Sequence, residues 1–293
     1  MKTGVSFYTF AQDVSFSEAC EQTKKAGYDG VELVISESGE LNMHTSDRDL
    51  IRMRNMVNDM GLEICSVGAW NIWEHNLAGN NAADVSYAKD IVKKQIDAAA
   101  AFGADTILLV PGWVGTPFAK GIVSYEVCYD NSLKAVSELS GYAAGAKVSI
   151  GIENVWNKFL LSPLEFRRFL DQINSPYVGA YFDVGNIIYI GYPEQWIKIL
   201  GEKYIKKLHF CDCRSDQAGL GMFVDLFEGD VNFADVMQAV KDINYNDWLT
   251  VEFLPNYKRF PYQSIINAKL SLDTILKIQV EASIGKTIWE ENI

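Results

Sequence analysis

The sequence predicts an α/β protein folded as a single (β/α)8 TIM barrel. Short β-branched or apolar segments alternate with longer amphipathic segments along the whole chain, which is typical of βα units that feed a parallel sheet. The chain has 293 residues, a common length for one barrel, and no Pro- or Ser-rich linker divides it. We therefore expect residues 1–293 to form one domain. An open doubly wound sheet would instead place a glycine-rich loop after the first strand, where this chain has Phe10-Ala11-Gln12-Asp13.

Eight strands are expected, with a helix in each interval. They lie near residues 4–10, 29–35, 62–69, 105–110, 147–153, 178–182, 206–210 and 248–253. A glycine at 27, 61, 103 or 145 precedes four of these strands, where it would close the preceding helix in the left-handed conformation at low cost. Ser15 with Glu18, and Ser162 with Glu165, have the spacing of helix-starting capping boxes.

The composition argues against several classes of protein. Lys and Arg number 26 against 38 Asp and Glu, so the net charge of −12 disfavours binding to nucleic acid or to an anionic membrane surface. Five cysteines without a paired framework indicate reduced thiols and a cytoplasmic protein. The N-terminus does not read as a signal peptide, and the most apolar stretch, residues 106–110, is too short to span a bilayer.

Four consecutive predicted strands each end in a side chain that can bind a metal. These side chains are Glu153, Asp183, His209 and Glu252. A lone acid after a strand is usually a helix cap or a solvated residue, but the active site of such a barrel lies where the strands end, so four in succession indicate a site. The longer interval before Glu252 predicts a loop over residues 214–233 that covers the substrate.

Three carboxylates and one imidazole make an oxygen-rich ligand set. It favours Mn²⁺, with Mg²⁺, Co²⁺ or Zn²⁺ as alternatives, and leaves coordination positions for substrate oxygens. Three further residues are candidates for binding the substrate, each with a plainer alternative. Arg214 could bind a hydroxyl or phosphate, or pair with Asp212 or Asp216 on the surface. His75 could face the pocket, and Trp113 could form an apolar wall or pack in the core.

Seven segments, taken in order and spacing, resemble the xylose isomerase-like family of sugar phosphate isomerases and epimerases over almost the whole chain. They are Gly30-Val31-Glu32-Leu33, Asn76-Leu77-Ala78, Ala101-Phe102-Gly103-Ala104-Asp105-Thr106, Gly151-Ile152-Glu153-Asn154, Phe182-Asp183-Val184-Gly185-Asn186, His209-Phe210-Cys211-Asp212 and Glu228-Gly229-Asp230-Val231-Asn232-Phe233.

The resemblance implies a metal-dependent sugar isomerase or epimerase, first of all a ketose or ketose-phosphate 3-epimerase. In the family's 3-epimerases two metal-bound glutamates, here Glu153 and Glu252, face opposite sides of the reacting carbon. One would remove a proton to give a metal-bound enediolate and the other would return a proton to the opposite face, which inverts the centre. Asp183 and His209 would act mainly as metal ligands.

Two departures from the family pattern bear on the substrate. Ketohexose epimerases commonly have a histidine where this chain has Asn186, which brings it closer to the pentulose-phosphate branch and makes Asn186 a substrate-binding candidate. Many relatives also have a lysine where this chain has Cys211.

Other functions stay open at this point. They are an aldose–ketose isomerase, a keto-inositol (inosose) dehydratase-type lyase on the same metal site, and a non-catalytic sugar-binding protein. A DNA-repair endonuclease of the same superfamily ranks low, because the chain is acidic and has only three histidines. Aromatic residues between Phe253 and Tyr262 leave a homo-oligomer open as well.

Overall fold

The structure is a computed structural model that describes residues 1–11, 13–116, 121–217, 219–252 and 257–278. Its strands, in chain order, are β1 (Lys2–Ser6), β2 (Gly30–Ile35), β3 (Glu63–Ala69), β4 (Thr106–Leu109), β5 (Ser149–Glu153), β6 (Val178–Asp183), β7 (Ile205–Phe210), β8 (Asp212–Cys213), β9 (Phe223–Val224) and β10 (Trp248–Val251). Its α-helices are α1 (Phe16–Ala26), α2 (Asp47–Asp59), α3 (Ala82–Phe102), α4 (Tyr125–Ala146), α5 (Pro163–Ile173), α6 (Pro193–Tyr204), α7 (Phe233–Asp242) and α8 (Gln263–Leu276).

Eight of the strands form a closed parallel barrel. β1 to β7 pair in sequence, and β10 closes the ring by pairing with both β7 and β1. Helices alternate with these strands, so the (β/α)8 barrel predicted from the sequence is confirmed. β8 and β9 form a separate antiparallel hairpin within the long connection after β7. Among the described residues, no helix combines the length and the apolar character that crossing a bilayer requires.

The first strand lies earlier than predicted. It ends at Ser6 because the Ser6 hydroxyl accepts a hydrogen bond from the Tyr8 N–H at 3.3 Å, which starts a 3₁₀ turn over Phe7–Thr9. The predicted eighth strand reached Phe253, and the predicted oligomer face began there. Residues 253–256 lie outside the described residues, so neither expectation is tested at that point.

Most of the predicted helix ends are present, with one correction. Ser15 and Ser162 each accept a hydrogen bond at 3.2 Å from the N–H three residues later, and Gly27 and Gly103 end their helices with φ of 88° and 81°. Gly145 does not end α4, which continues to Ala146. Lys147 takes the left-handed conformation instead, with φ of 58°, because that position lets the next N–H bond back to the carbonyl of Ala143.

Candidate metal centre at the barrel mouth

The four strand-end residues meet at one point in the barrel mouth. Glu153 ends β5, Asp183 ends β6, His209 lies near the end of β7, and Glu252 directly follows β10. One ligand-capable atom from each lies within 4.8 Å of the others, and all four side chains are buried. The structure therefore brings together the whole ligand set that the sequence predicts.

Backbone register and one amide side chain hold these residues in place. Asp183 lies opposite His209 in the β6–β7 pairing, and the N–H of Glu252 donates to the carbonyl of Phe210 at 3.2 Å, which continues the ladder past β10. The Asn154 side chain bridges β5 and β6, since its Nδ2 donates to the Asp183 carbonyl at 2.7 Å and its Oδ1 accepts the Asp183 N–H at 2.9 Å. These bonds fix the ends of β5, β6, β7 and β10 relative to one another.

His209 lies among carboxylates on both sides of its ring. Its Nδ1 is 3.1 Å from Glu252 Oε2 and 3.4 Å from Glu153 Oε1, yet it has no hydrogen-bond partner of acceptable geometry among the described residues. Its Nε2 is 3.1 Å from Glu32 Oε1 on the opposite side. A buried nitrogen without a hydrogen bond that faces two carboxylates is the arrangement of a ligand atom directed at a cation.

The charges at the site do not balance without a cation. Burial raises the pKa of Glu252 to about 7, and burial together with the Glu252 charge raises the pKa of Glu153 well above its usual value. Burial likewise raises the pKa of Asp183. Burial alone would lower the pKa of His209, but the charges of Glu32 and Glu252 raise it well above its usual value. Because one imidazole faces several carboxylates, the donor set fits a divalent ion.

Asn186 is the predicted substrate-binding residue that lies nearest to the ligand set. Its Nδ2 is 3.5 Å from Glu153 Oε1, and its own N–H donates to Asp183 Oδ1 at 2.7 Å. Its Oδ1 is buried and has no hydrogen-bond partner among the described residues. Asn186 thus offers a free acceptor beside the carboxylates.

The other three predicted binding residues have partners away from the ligand set. Arg214 Nη2 is 3.0 Å from Glu228 Oε1, not from Asp212 or Asp216, so that part of the sequence prediction is wrong. His75 Nδ1 is 2.6 Å from Asp84 Oδ1, at the start of α3. Trp113 is buried, and its backbone bonds on both sides to the side chain of Asn76.

Arg214 does not reach Asp212 because backbone groups already occupy that carboxylate. Its two oxygens accept N–H groups from Cys213 at 2.9 Å, Phe227 at 2.9 Å, Gly229 at 3.0 Å and Val231 at 3.1 Å. Asp212 therefore holds the beginning and the end of the long connection after β7 close together.

Glu32 is the residue of this site to which the sequence analysis gave no role. It lies in β2, where all six residues are buried, and it contacts the far side of the His209 ring. The sequence carried one signal for it: an ionisable residue inside an otherwise apolar strand is costly to bury and so needs partners.

A cavity of about 580 Å³ adjoins the loops that follow β4 to β7. Its lining includes Trp156 and Lys158 from the loop after Glu153, Tyr189 from the loop after Asn186, and Gln217 from the long connection after β7. A space with aromatic walls and a few polar groups has the size that small ligands occupy in proteins.

Comparisons with known proteins agree with this architecture. The family model described as "Xylose isomerase-like TIM barrel" matches residues 20–268. A protein of Haemophilus influenzae named "Putative L-ribulose-5-phosphate 3-epimerase SgbU" is 24% identical over 92% of this chain and 94% of its own length.

Two solved structures share the fold over 94% of this chain and 98% of their own. The D-psicose 3-epimerase of Clostridium cellulolyticum H10, solved with D-tagatose, has a TM-score of 0.75 at 17% identity. The IolI protein with a bound zinc atom has a TM-score of 0.79 at 18% identity.

Proposed function

The chain belongs to the xylose isomerase-like TIM-barrel family, and on that premise we propose that it is a metal-dependent ketose or ketose-phosphate 3-epimerase. The observation that carries the proposal is the pair of buried glutamates, Glu153 and Glu252, with oxygens 3.4 and 3.1 Å from one imidazole nitrogen. Inversion of a carbon next to a carbonyl needs an acid–base group on each face, and two carboxylates at one centre supply such a pair. The sugar phosphate epimerase relative supports the same reaction class.

The ion would be held by Glu153, Asp183, His209 and Glu252, and we expect Mn²⁺ first, with Mg²⁺, Co²⁺ or Zn²⁺ as alternatives. When bound, a divalent ion supplies a Lewis acid that polarises the substrate carbonyl and makes the neighbouring C–H more acidic. The zinc in the IolI structure supports the choice of a divalent ion. Asp183 is suited to a ligand role, because the N–H groups of Gly185 and Asn186 already hold its Oδ1 at 2.8 and 2.7 Å.

The two glutamates would move the proton. One removes the proton from the carbon beside the carbonyl, and the other delivers a proton to the opposite face of the same carbon. Burial raises the pKa of Glu252 to about 7 in the metal-free protein, so its surroundings favour a carboxylate that can hold a proton. Asn186 Oδ1, which is free and beside Glu153, would accept a hydrogen bond from a substrate hydroxyl.

Arg214, His75 and Trp113 remain predicted substrate contacts. Arg214 would have to exchange its bond to Glu228 for a substrate oxygen. His75 would act through its Nε2, because its Nδ1 bonds to Asp84. Trp113 has an indole N–H without a hydrogen-bond partner among the described residues, and this group would make its polar contact with a ligand.

A proton-exchange screen tests the function directly. Metal-loaded protein is incubated in D₂O with a panel of ketoses and ketose phosphates, and products are followed by NMR and mass spectrometry. We expect deuterium at the carbon next to the carbonyl and a new epimer, with both signals lost in Glu153→Gln and Glu252→Gln. Glu63→Gln is the matched control, because Glu63 is an exposed glutamate of β3 that pairs with Lys2 at the opposite end of the barrel.

The other results of this screen contradict the proposal in different ways. Loss of water from a keto-inositol would assign the site to a lyase. Production of an aldose would assign it to aldose–ketose isomerisation. A metal-loaded protein that exchanges no proton with any member of the panel would leave the epimerase without support.

A further inference from the structure

Glu32 is a buried carboxylate whose role the proposed reaction leaves unassigned. It lies in β2, Gly30–Ile35, a strand in which every residue is buried, and its own side chain is fully buried. It does not belong to the four-residue ligand cluster, because the His209 ring lies between it and the other carboxylates. An ionised group in such a place persists only when hydrogen bonds satisfy both oxygens.

Three donors from three strands satisfy this carboxylate. The Ser6 hydroxyl, at the end of β1, donates to Oε1 at 2.6 Å, and the Ser66 hydroxyl of β3 donates to Oε2 at 2.6 Å. His209 Nε2, from β7, is 3.1 Å from Oε1. Glu32 therefore joins the far side of the barrel to the imidazole of a proposed metal ligand.

The imidazole ring is also held by its packing. The Tyr181 ring lies 4.4 Å from the His209 ring, centroid to centroid, and the Tyr181 hydroxyl is 3.0 Å from Ser66 Oγ. Ser66 thus contacts both the carboxylate and the tyrosine that touch the histidine. These contacts define the orientation of the ring before any ion is present.

This geometry sets the position of the imidazole proton. A carboxylate can only accept hydrogen bonds, so the nitrogen that faces Glu32 must carry hydrogen, and in a neutral imidazole the other nitrogen then carries the lone pair. When an ion rather than a proton lies beside Nδ1, Glu153 and Glu252, the nitrogen with the lone pair is therefore Nδ1.

We propose that Glu32 is a positioning residue that keeps hydrogen on His209 Nε2 and directs the lone pair of Nδ1 at the metal. The inference rests on the metal centre of the proposed function but not on its substrate or reaction.

The variant Glu32→Gln tests the proposal with little change of shape. Its amide can present either oxygen or NH₂ to Nε2, so both tautomers of His209 become available. Partners of this kind typically contribute 10–100-fold to metal affinity, and we expect Zn²⁺ affinity, measured by competition with a chelator, to fall by about that factor. Val31→Ala is the matched control, because Val31 is the adjacent residue of β2 and packs in the hydrophobic core.

A second readout separates positioning from general structural support. The chain has three histidines, so ¹⁵N-histidine NMR of the zinc-loaded protein gives a simple spectrum. We expect Nδ1 of His209 to be metal-bound and Nε2 to carry a slowly exchanging proton in the wild type. In Glu32→Gln we expect this pattern to weaken or a second, Nε2-bound form to emerge, while Val31→Ala keeps the wild-type pattern.

Three results would overturn the proposal. Unchanged affinity and an unchanged spectrum in Glu32→Gln would show that Glu32 does not select the nitrogen. An equal loss of zinc affinity in Val31→Ala would show that Glu32 acts only by supporting the structure of β2. A wild type that does not bind zinc would remove the metal centre itself, whereas failure of the epimerase screen with zinc binding intact would leave this inference standing.

Discussion

Strand β7 carries two buried cationic groups that lie in opposite environments at the two ends of the barrel. Lys207 and His209 are two residues apart and so lie on the same face of the strand. At the lower end of the barrel, where the strands begin, Lys207 is 2% exposed and pairs with Asp105 at 3.0 Å and with Asp247. The side chains of these two aspartates are 69% and 40% exposed. At the mouth, His209 shares its surroundings with carboxylates that are all buried.

The difference separates a charge arrangement that supports the fold from one that supports binding. Burial alone would lower the pKa of Lys207, but Asp105 and Asp247 raise it above its usual value, so the lower end is neutralised by the protein and by solvent. At the mouth burial raises the pKa values of Glu153 and Glu252, and the single imidazole of His209 offsets this rise only in part. A barrel of this class places stabilising residues at the lower end and chemistry at the mouth.

The largest effect is expected at the mouth, on activity. Glu252→Gln should lower the rate of proton exchange by about 10²–10⁴-fold, the usual contribution of a positioned acid–base group. The same change should cost the metal-free protein little stability, since burial disfavours the Glu252 charge and its partner, His209 Nδ1, also faces Glu153. Single-turnover exchange and urea unfolding measure the two quantities, and a clear loss of stability would contradict the charge imbalance.

Metal binding should stabilise the wild type and correct this imbalance. At a free ion concentration 100-fold above the dissociation constant, the free energy of unfolding should rise by about 2.7 kcal/mol. Asp183→Asn should lose most of this increment, because the amide is a weaker ligand than the carboxylate it replaces. Urea unfolding with and without Mn²⁺ checks the prediction, and an equal increment in Asp183→Asn would exclude Asp183 as a ligand.

At the lower end of the barrel, a substitution should change stability and leave metal affinity nearly unchanged. Lys207→Met should cost about 1–3 kcal/mol in the free energy of unfolding, less than loss of a fully buried pair, because both aspartates are partly solvated and are not left as buried charges. Metal affinity should change by less than about twofold, since the pairing lies away from the ligands. A large loss of affinity would mean that the two ends are coupled through β7.

The smallest effect is a dependence of metal affinity on pH. Because the pKa of Glu252 is raised to about 7 in the metal-free protein, a proton competes with the ion below that pH. Affinity should therefore fall as the pH drops through about 7, by about tenfold per unit or more, because the raised pKa values of His209 and Glu153 add further competing protons. Calorimetric titrations at several pH values test this, and an affinity that rises on acidification would contradict the sign.

The sequence carried a strong local signal for the ligands and little for their surroundings. Glu153, Asp183, His209 and Glu252 could be predicted because each directly follows an apolar run, and the ends of parallel strands meet. Glu32 could not be assigned a role, because its partner His209 lies 177 residues away and on a strand that is not its neighbour. Contacts across a barrel depend on closure of the whole ring, which no local pattern describes.

Two smaller errors have the same origin. The alternative to substrate binding by Arg214 was a pair with Asp212 or Asp216, yet the β8–β9 hairpin brings Glu228 within 3.0 Å. Gly145 was expected to end a helix, but the hydrogen bonds of the following residues place that end at Lys147. In both cases a plausible local choice was overridden by backbone hydrogen bonds formed further along the chain.

The carboxylate of Asp212 makes the connection after β7 an exchangeable unit. Because it fastens N–H groups from both ends of that connection, residues 214–226 can change in length or sequence without loss of a hydrogen bond within the barrel. The backbone at position 229 lies too close to this carboxylate for any residue other than glycine, since a Cβ at Gly229 would lie 2.2 Å from Asp212 Oδ1. Evolution or an engineer can therefore replace this connection as a unit, and chimeras that keep Asp212 and Gly229 should fold.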